Sequence, residues 1–417
     1  MNLDRSIYNS VIGSIGRREI GIIVGPRQVG KTTLLKEIAG YCKNNRIAFK
    51  YYNLEMPADA GFFARTPANI LADLTRNKNV VLIDEFHYLP NATKLFKAIY
   101  DGYPDVKVFA SGSSAIEMHK HLKESLAGRR HLFRMFPLSF WEWLPCRTTS
   151  LKKPESFDSE FSAQTHEKLK TFLDEFVIFG GMPGLVHEKS RDFQKRLLLD
   201  LVATYMQKDI KALLREEDIL SFNRMLALLA SQEGNLLSEN NVSNSLNYSL
   251  RQVRNDLAIL DQTFLLNILK PFHANRGREL KQTNKTYFFD SGIRNAILQD
   301  FRIPGNRPDK GALMEAFVLQ EIQKHMRVTQ ELFYWRTREK NEVDFILVQD
   351  RTPVPVEVKS QISAGEIPGG IKQFFANYKE SRLAVVLNDS IRALVKYEGR
   401  KILFAPHYYA ALIPELF

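Results

Sequence analysis

The run GIIVGPRQVGKTTLLKEI, residues 21–38, leaves a chain few ways to fold. A short apolar stretch reads as a strand, a glycine-bracketed loop follows, and a helix opens on threonines. Gly25, Gly30, Lys31 and Thr32 fall in the spacing GxxxxGK[ST]. The glycines let backbone amides turn inward around phosphate oxygens, and the helix adds its positive end. Lys31 then reaches the β and γ phosphates, and Thr32 ligates magnesium. The loop residues Gly25, Pro26, Arg27, Gln28, Val29 and Gly30, with Lys31, Thr32 and Thr33, are therefore the expected nucleotide cradle. At ordinary residue frequencies the pattern arises by chance in roughly one chain of this length per hundred, before the strand and helix are required.

A second apolar strand, NVVLIDEFHYLP, closes on Asp84 and Glu85. Continuous apolar strands suit a parallel sheet covered on both faces, with acids emerging at its ligand-binding carboxyl edge. Asp84 is expected to hold the metal and Glu85 to polarise the attacking water. A third strand, VKVFASGSS, ends in Ser111, Ser113 and Ser114, which can report on the γ phosphate or merely close a turn. In LAGRRHLFRMFPLSFWEW, Arg129 or Arg130 is the candidate cation for the transferred phosphoryl group. Through GPRQVGKTT, VVLIDE and the serine-ended strand, residues 1–145 resemble the AAA+ type of P-loop ATPase. The resemblance implies ATP as substrate, Mg²⁺ as cofactor, and a homo-oligomer in which a neighbour can supply the arginine.

With 417 residues, 44% of them hydrophobic, several cores can be buried. No apolar run approaches the ~20 residues that span a bilayer, so no membrane association and a cytoplasmic location are expected. The two cysteines, Cys42 and Cys146, form neither a disulfide framework nor a zinc cluster by spacing. A net charge of +11 fits a polyanionic partner or ordinary solubility.

Residues 146–165 read as a linker, and helical patterns over 165–215 as a lid. Across 216–290, three helices precede two strands, FLLNILKPF and KTYFFD, joined by the basic loop HANRGRELKQTN. Ser249 is placed as an N-cap; Val253, Leu257 and Leu260 face inward, and Arg251, Gln252, Arg254 and Asn255 face outward. This set resembles a winged helix, implying nucleic acid, DNA in particular, as a partner. Arg276, Arg278, Lys281 and Lys285 are its expected phosphate contacts. A helical spacer with a wet polar face is the alternative.

Residues 305–417 hold VDFILVQDRTPVPVEVKS, which sets two acids and a lysine among apolar residues. A hairpin turning about Asp350 and Arg351 pairs residues whose numbers sum to 701, so Asp344 faces Glu357. Opposed carboxylates repel by some tenths of a kcal/mol unless a cation lies between them. Lys359 shares the face of Glu357 and can activate a metal-bound water, or it pairs with Glu342, which falls opposite it. In GALMEAFVLQEIQKHM the helical wheel puts Glu315 among Leu319, Ile322 and Met326, with Gln320 and Lys324 on the polar side and Glu321 at an edge. Glu315, Asp344, Glu357 and Lys359 resemble the PD-(D/E)xK nuclease fold, implying Asp344 and Glu357 as ligands of Mg²⁺ or Mn²⁺. The whole order also resembles a group of predicted ATPases ending in a domain of unknown function. The expected fold is α/β and multidomain: a P-loop parallel sheet with helices on both faces, a helical lid, a winged helix, and a nuclease-like α/β domain. Two functions fit: an ATP-coupled nuclease acting on DNA, or an ATP-gated regulatory switch whose last domain only binds.

Overall fold

The structure is a computed structural model and describes residues 5–77, 79–89, 91–112, 126–210, 214, 218–273, 283–363 and 365–417. The chain divides into two units, one of residues 1–138 with 262–264, the other of 139–261 with 265–417.

The first unit is built on five strands: β1 (Ile20–Val24), β2 (Phe49–Asn53), β3 (Val80–Asp84), β4 (Lys107–Gly112) and β5 (Arg130–Arg134). They lie in the order β2-β3-β4-β1-β5, every neighbouring pair parallel. Every residue of β1, β3 and β4 is buried, as continuous apolar runs in a helix-covered parallel sheet should be. The more polar FKYYN and RHLFR take the two edges, where one side stays open to water. Helices Lys31–Asn44, Pro57–Phe63, Pro67–Thr75 and Ala92–Gly102 flank the sheet. Because β4 lies between β1 and β3, the carboxyl ends of all three strands stand side by side.

The second unit contains β6 (Leu266–Leu269), β7 (Lys285–Phe288), β8 (Gln330–Arg336), β9 (Glu342–Gln349), β10 (Thr352–Val358), β11 (Leu383–Asn388), β12 (Ala393–Tyr397) and β13 (Arg400–Pro406). β6 and β7 pair antiparallel, after the three expected helices Ile219–Ser231, Glu239–Leu246 and Leu250–Gln262. Ser249 caps the last of these, accepting the Gln252 N–H at 3.2 Å. Val253, Leu257 and Leu260 are buried, and Arg251, Arg254 and Asn255 are exposed.

The other six strands form a mixed sheet, β12-β13-β11-β10-β9-β8. The β9–β10 register runs from Gln349↔Thr352 to Phe345↔Val356, every pair summing to 701 as the sequence requires. Asp350 and Arg351 both have positive φ, 48° and 64°, the backbone a tight two-residue hairpin demands. Both faces are covered: Ile346 and Val348 pack with Trp335 and Phe374, while Phe345 is buried on the opposite side.

The helix Lys310–His325 corrects the helical-wheel assignment. Gln320 is 3% exposed and donates to the Phe288 carbonyl, and Glu321 is 1% exposed. Glu321 accepts the Phe140 N–H and the Lys324 ammonium, each at 3.1 Å. Polar residues on this helix find partners inside the unit, so polarity does not mark a wet face. The helix Ala163–Phe179 ends at Gly180, φ +74°, whose missing side chain leaves room for Asp290. Asp290 caps the helix Ser291–Leu298 and also accepts the Gly181 N–H. Among the described residues, no helix is long and apolar enough to cross a membrane.

Candidate functional sites

In the first unit, β1 delivers Gly25 to the loop and the helix Lys31–Asn44 leaves it. A side-chain carbon on Gly25 would lie 2.2 Å from the Met135 carbonyl oxygen, so only glycine fits. Gln28 and Gly30 have positive φ, 61° and 95°, the bends that turn backbone amides into the loop. Lys31 is buried, its ammonium folded back onto the carbonyls of Gly25 (3.0 Å) and Pro26 (2.7 Å). Thr32 is partly exposed at the helix's first turn.

Asp84 ends β3, 1% exposed, and takes hydrogen bonds from the Ser111 hydroxyl and from Tyr51 at 3.2 Å. Ser111 also accepts the Glu85 N–H at 3.4 Å. Glu85, in the left-handed region at φ 54°, is paired with His87 Nδ1 at 3.1 Å. Burial disfavours its charged form, but the His87 hydrogen bond and the Lys31 and Arg27 charges outweigh that and hold its carboxyl below the usual range. The hydroxyl of Thr32 and the carboxylate of Asp84 are hard oxygen donors that fit magnesium.

Arg129 and Arg130 do not share this edge. Arg130 aligns with Ile20 at the start of β1, and Arg129 pairs with Asp101 at 2.9 Å. Five residues of strand put them about 16 Å from the loop of their own chain. The exposed Arg134, in register with Val24, is the arginine of β5 that stands at the sheet edge where the Gly25 loop begins. Counting along the parallel register from Ile20 is what separates the two, and it requires knowing that β5 adjoins β1. Ser113 and Ser114 lie outside the described residues, as do Arg276, Arg278 and Lys281.

The carboxylates of the second unit do converge. Glu357 is 5% exposed; Lys359 Nζ lies 2.6 Å from its Oε1, and its Oε2 is buried without a hydrogen-bond partner among the described residues. Asp344 Oδ2 accepts the Val358 N–H at 2.8 Å. Burial, then the Glu357 and Glu315 charges, push the Asp344 carboxyl well above its usual range, and burial raises Glu357 as well. Lys359 is raised too, since Glu357 and Asp344 outweigh the burial that would lower it. Lys359 therefore pairs with Glu357, and the alternative partner Glu342 is taken by Arg336 at 2.7 Å and by Lys285 at 2.6 Å.

Lys285 is the largest correction. Expected at the start of a strand as a phosphate contact, it is 3% exposed inside this cluster, with Glu315 Oε1 also 3.0 Å away. Tyr287, two residues along β7, donates to the same Glu315 oxygen. Neither residue lies in the hairpin whose motif pointed here, so no local spacing could reveal them. The Glu357 oxygen that lacks a partner among the described residues and the neighbouring Asp344 fit a cation, but Glu315 is turned toward β7. Among the described residues, no three His, Cys, Asp or Glu side chains are grouped to hold a metal ion.

Residues 17–144 match a family described as an AAA domain, and 170–302 and 310–408 match two domains of unknown function, DUF8612 and DUF4143. An uncharacterized protein of Mycobacterium tuberculosis is 23% identical over 376 residues, covering 89% of this chain and 77% of its own. An uncharacterized protein of Methanocaldococcus jannaschii is 24% identical over 337 residues, covering 79% and 72%. Among solved structures, the Aeropyrum pernix ORC2 protein in its ADP form has TM-score 0.34 and 13% identity, covering 70% of this chain and 91% of its own. DnaA from Aquifex aeolicus, bound to AMPPCP, has TM-score 0.29 and 14% identity, covering 61% and 86%.

Proposed function

We propose that the chain is a magnesium-dependent ATPase of the AAA+ type that engages DNA. The observation that carries this reading is the meeting of three strand ends: the Gly25–Lys31 loop, Ser111, and the Asp84–Glu85 pair. Thr32 and Asp84 would hold magnesium, which when bound neutralises charge across the phosphates. Lys31 exchanges the carbonyls of Gly25 and Pro26 for phosphate oxygens, and Ser111 aligns Asp84. Glu85, kept ionised, accepts a hydrogen bond from the attacking water and polarises it. Calorimetry and phosphate release test this: Lys31→Ala loses ATP binding, whereas Glu85→Gln binds ATP and loses roughly 10²-fold or more in turnover. Wild-type turnover in Glu85→Gln would remove the assignment.

DNA engagement rests on the positive charge and on Arg251 and Arg254 at the amino end of the Leu250–Gln262 helix. Arg254 is held by Glu239 at 2.7 Å, which leaves Arg251 the freer of the two. With Lys285 buried, Arg276, Arg278 and Lys281 remain as phosphate contacts, contributing up to about −3 to the slope of log affinity against log salt. A second reading, cleavage of phosphodiesters by the last domain, is favoured by the Glu357 carboxylate beside Lys359, one oxygen of which lacks a partner among the described residues. Its test is whether Asp344→Ala and Glu357→Ala abolish metal-dependent cutting.

A further inference from the structure

Four carboxylates, Glu315, Glu342, Asp344 and Glu357, meet three cations here, Lys285, Arg336 and Lys359. The formal balance is one uncompensated negative charge. Arg336 ends β8 of the six-stranded sheet, and Lys359 lies one residue past β10 of the same sheet. Lys285 comes from β7, which pairs with β6 and bridges to Leu236. Its ammonium lies between Glu315 and Glu342, and the Tyr287 hydroxyl on the same strand fixes Glu315 from the same side. Without Lys285 the balance would be minus two, and the Tyr287 hydroxyl, a neutral donor, would be left to hold Glu315 toward β7 against a divalent ion shared with Asp344 and Glu357. Two carboxylates and a buried ammonium make a poor magnesium or manganese site; three carboxylates make an ordinary one.

We propose that Lys285 is the resident cation of this carboxylate cluster, and that its ammonium and a divalent metal compete for Glu315. The inference rests on reading the cluster as nuclease-like, yet it concerns occupancy rather than cleavage. In the present arrangement the lysine satisfies the helix carboxylate, and the cluster binds divalent metal weakly.

The test is Mn²⁺ calorimetry on the full chain without nucleotide. Lys285→Met, folded by circular dichroism, is expected to bind Mn²⁺ at least tenfold more tightly than the wild type and to gain thermal stability from it. Adding Asp344→Asn and Glu357→Gln to that variant should abolish the gain, which assigns the metal to this cluster. A folded Lys285→Met chain that binds Mn²⁺ no better than the wild type overturns the proposal. Should that variant not fold, the wild type decides: tight Mn²⁺ binding lost in Glu315→Gln overturns it, and weak binding insensitive to Glu315→Gln supports it. The two readings separate cleanly. A gain in Mn²⁺ affinity with no cleavage of DNA or RNA sustains the competition and sinks the nuclease reading. Cleavage that depends on Asp344, with no gain in Lys285→Met, does the reverse.

Discussion

Replacing Gly25 by alanine adds one methyl group at the point where the phosphate loop leaves β1. That carbon would lie 2.2 Å from the Met135 carbonyl oxygen, 3.1 Å from its carbonyl carbon and 3.3 Å from Val29 Cγ2. An ordinary contact needs roughly 1 Å more, and Met135 cannot yield freely because its N–H is bonded to the Val24 carbonyl at 2.7 Å. Either the end of β5 separates from β1 or the loop moves outward. Overpacking of this kind costs about 1–3 kcal/mol. If the loop moves, two charge-assisted contacts to phosphate are lost, about 3 kcal/mol together, so ATP affinity falls on the order of 100-fold. Gly40 supplies the control. It lies in the helix Lys31–Asn44 with nothing within 4 Å of an added carbon, so Gly40→Ala should stabilise by about 0.5–1 kcal/mol and leave ATP binding alone. Urea unfolding and calorimetry with a non-hydrolysable ATP analogue measure both quantities. A Gly25→Ala chain with wild-type stability and affinity would refute this account of the loop.

Gly180→Ala should destabilise by about 2–4 kcal/mol, since the new carbon would meet Asp290 Oδ1 at 2.0 Å and φ is +74°; an unchanged urea midpoint would contradict this. Arg129→Ala should cost at most about 1 kcal/mol of stability, the worth of an exposed pair with Asp101, and leave ATP binding by the single chain intact. Arg134→Ala should lower turnover more than Arg129→Ala, and the opposite order would reverse their placement. Asp300 is held down to about 2 by hydrogen bonds from Arg302, and Asp309 well below its usual range by Arg307. The unfolded chain protonates both near pH ~4, so between there and the folded values it binds more protons and acid favours unfolding. The urea midpoint should therefore drop from pH 4 to pH 3, and drop less in Asp309→Asn; equal drops would count against the pairing.

The parallel sheet was legible because its strands are continuous apolar runs that end in functional residues, and the β9–β10 register because Asp350 and Arg351 leave little room for another turn. The three helices before β6 were legible from the Ser249 cap and the spacing of Val253, Leu257 and Leu260. What the chain did not disclose lies where tertiary partners override local pattern. A helical wheel puts Gln320 and Lys324 on the polar side and Glu321 at an edge because it cannot see the Phe288 carbonyl that accepts from Gln320 or the Phe140 amide that donates to Glu321. Arg129 looked apt for a phosphate because sequence gives its residue type but not which end of β5 it adjoins.

Lys285 shows the same limit with a chemical consequence. A lysine in a basic, turn-rich stretch is normally solvated, and burying one is costly unless acids surround it. Here the acids lie 30 and 57 positions later in the chain, at Glu315 and Glu342, so the partner set is invisible to any local window. Lys359, one residue past β10, travels with Glu357 and balances it in any arrangement of that sheet. Lys285 belongs to β7, which pairs only with β6 among the described strands. A cation carried outside the carboxylates' own strands, on a hairpin whose first strand runs on to bond Tyr334 of β8 through Lys270 and Phe272, can leave Glu315 without breaking a β9–β10 bond. That asymmetry is why competition at Glu315, rather than at Glu357, is the place to look for control of this cluster.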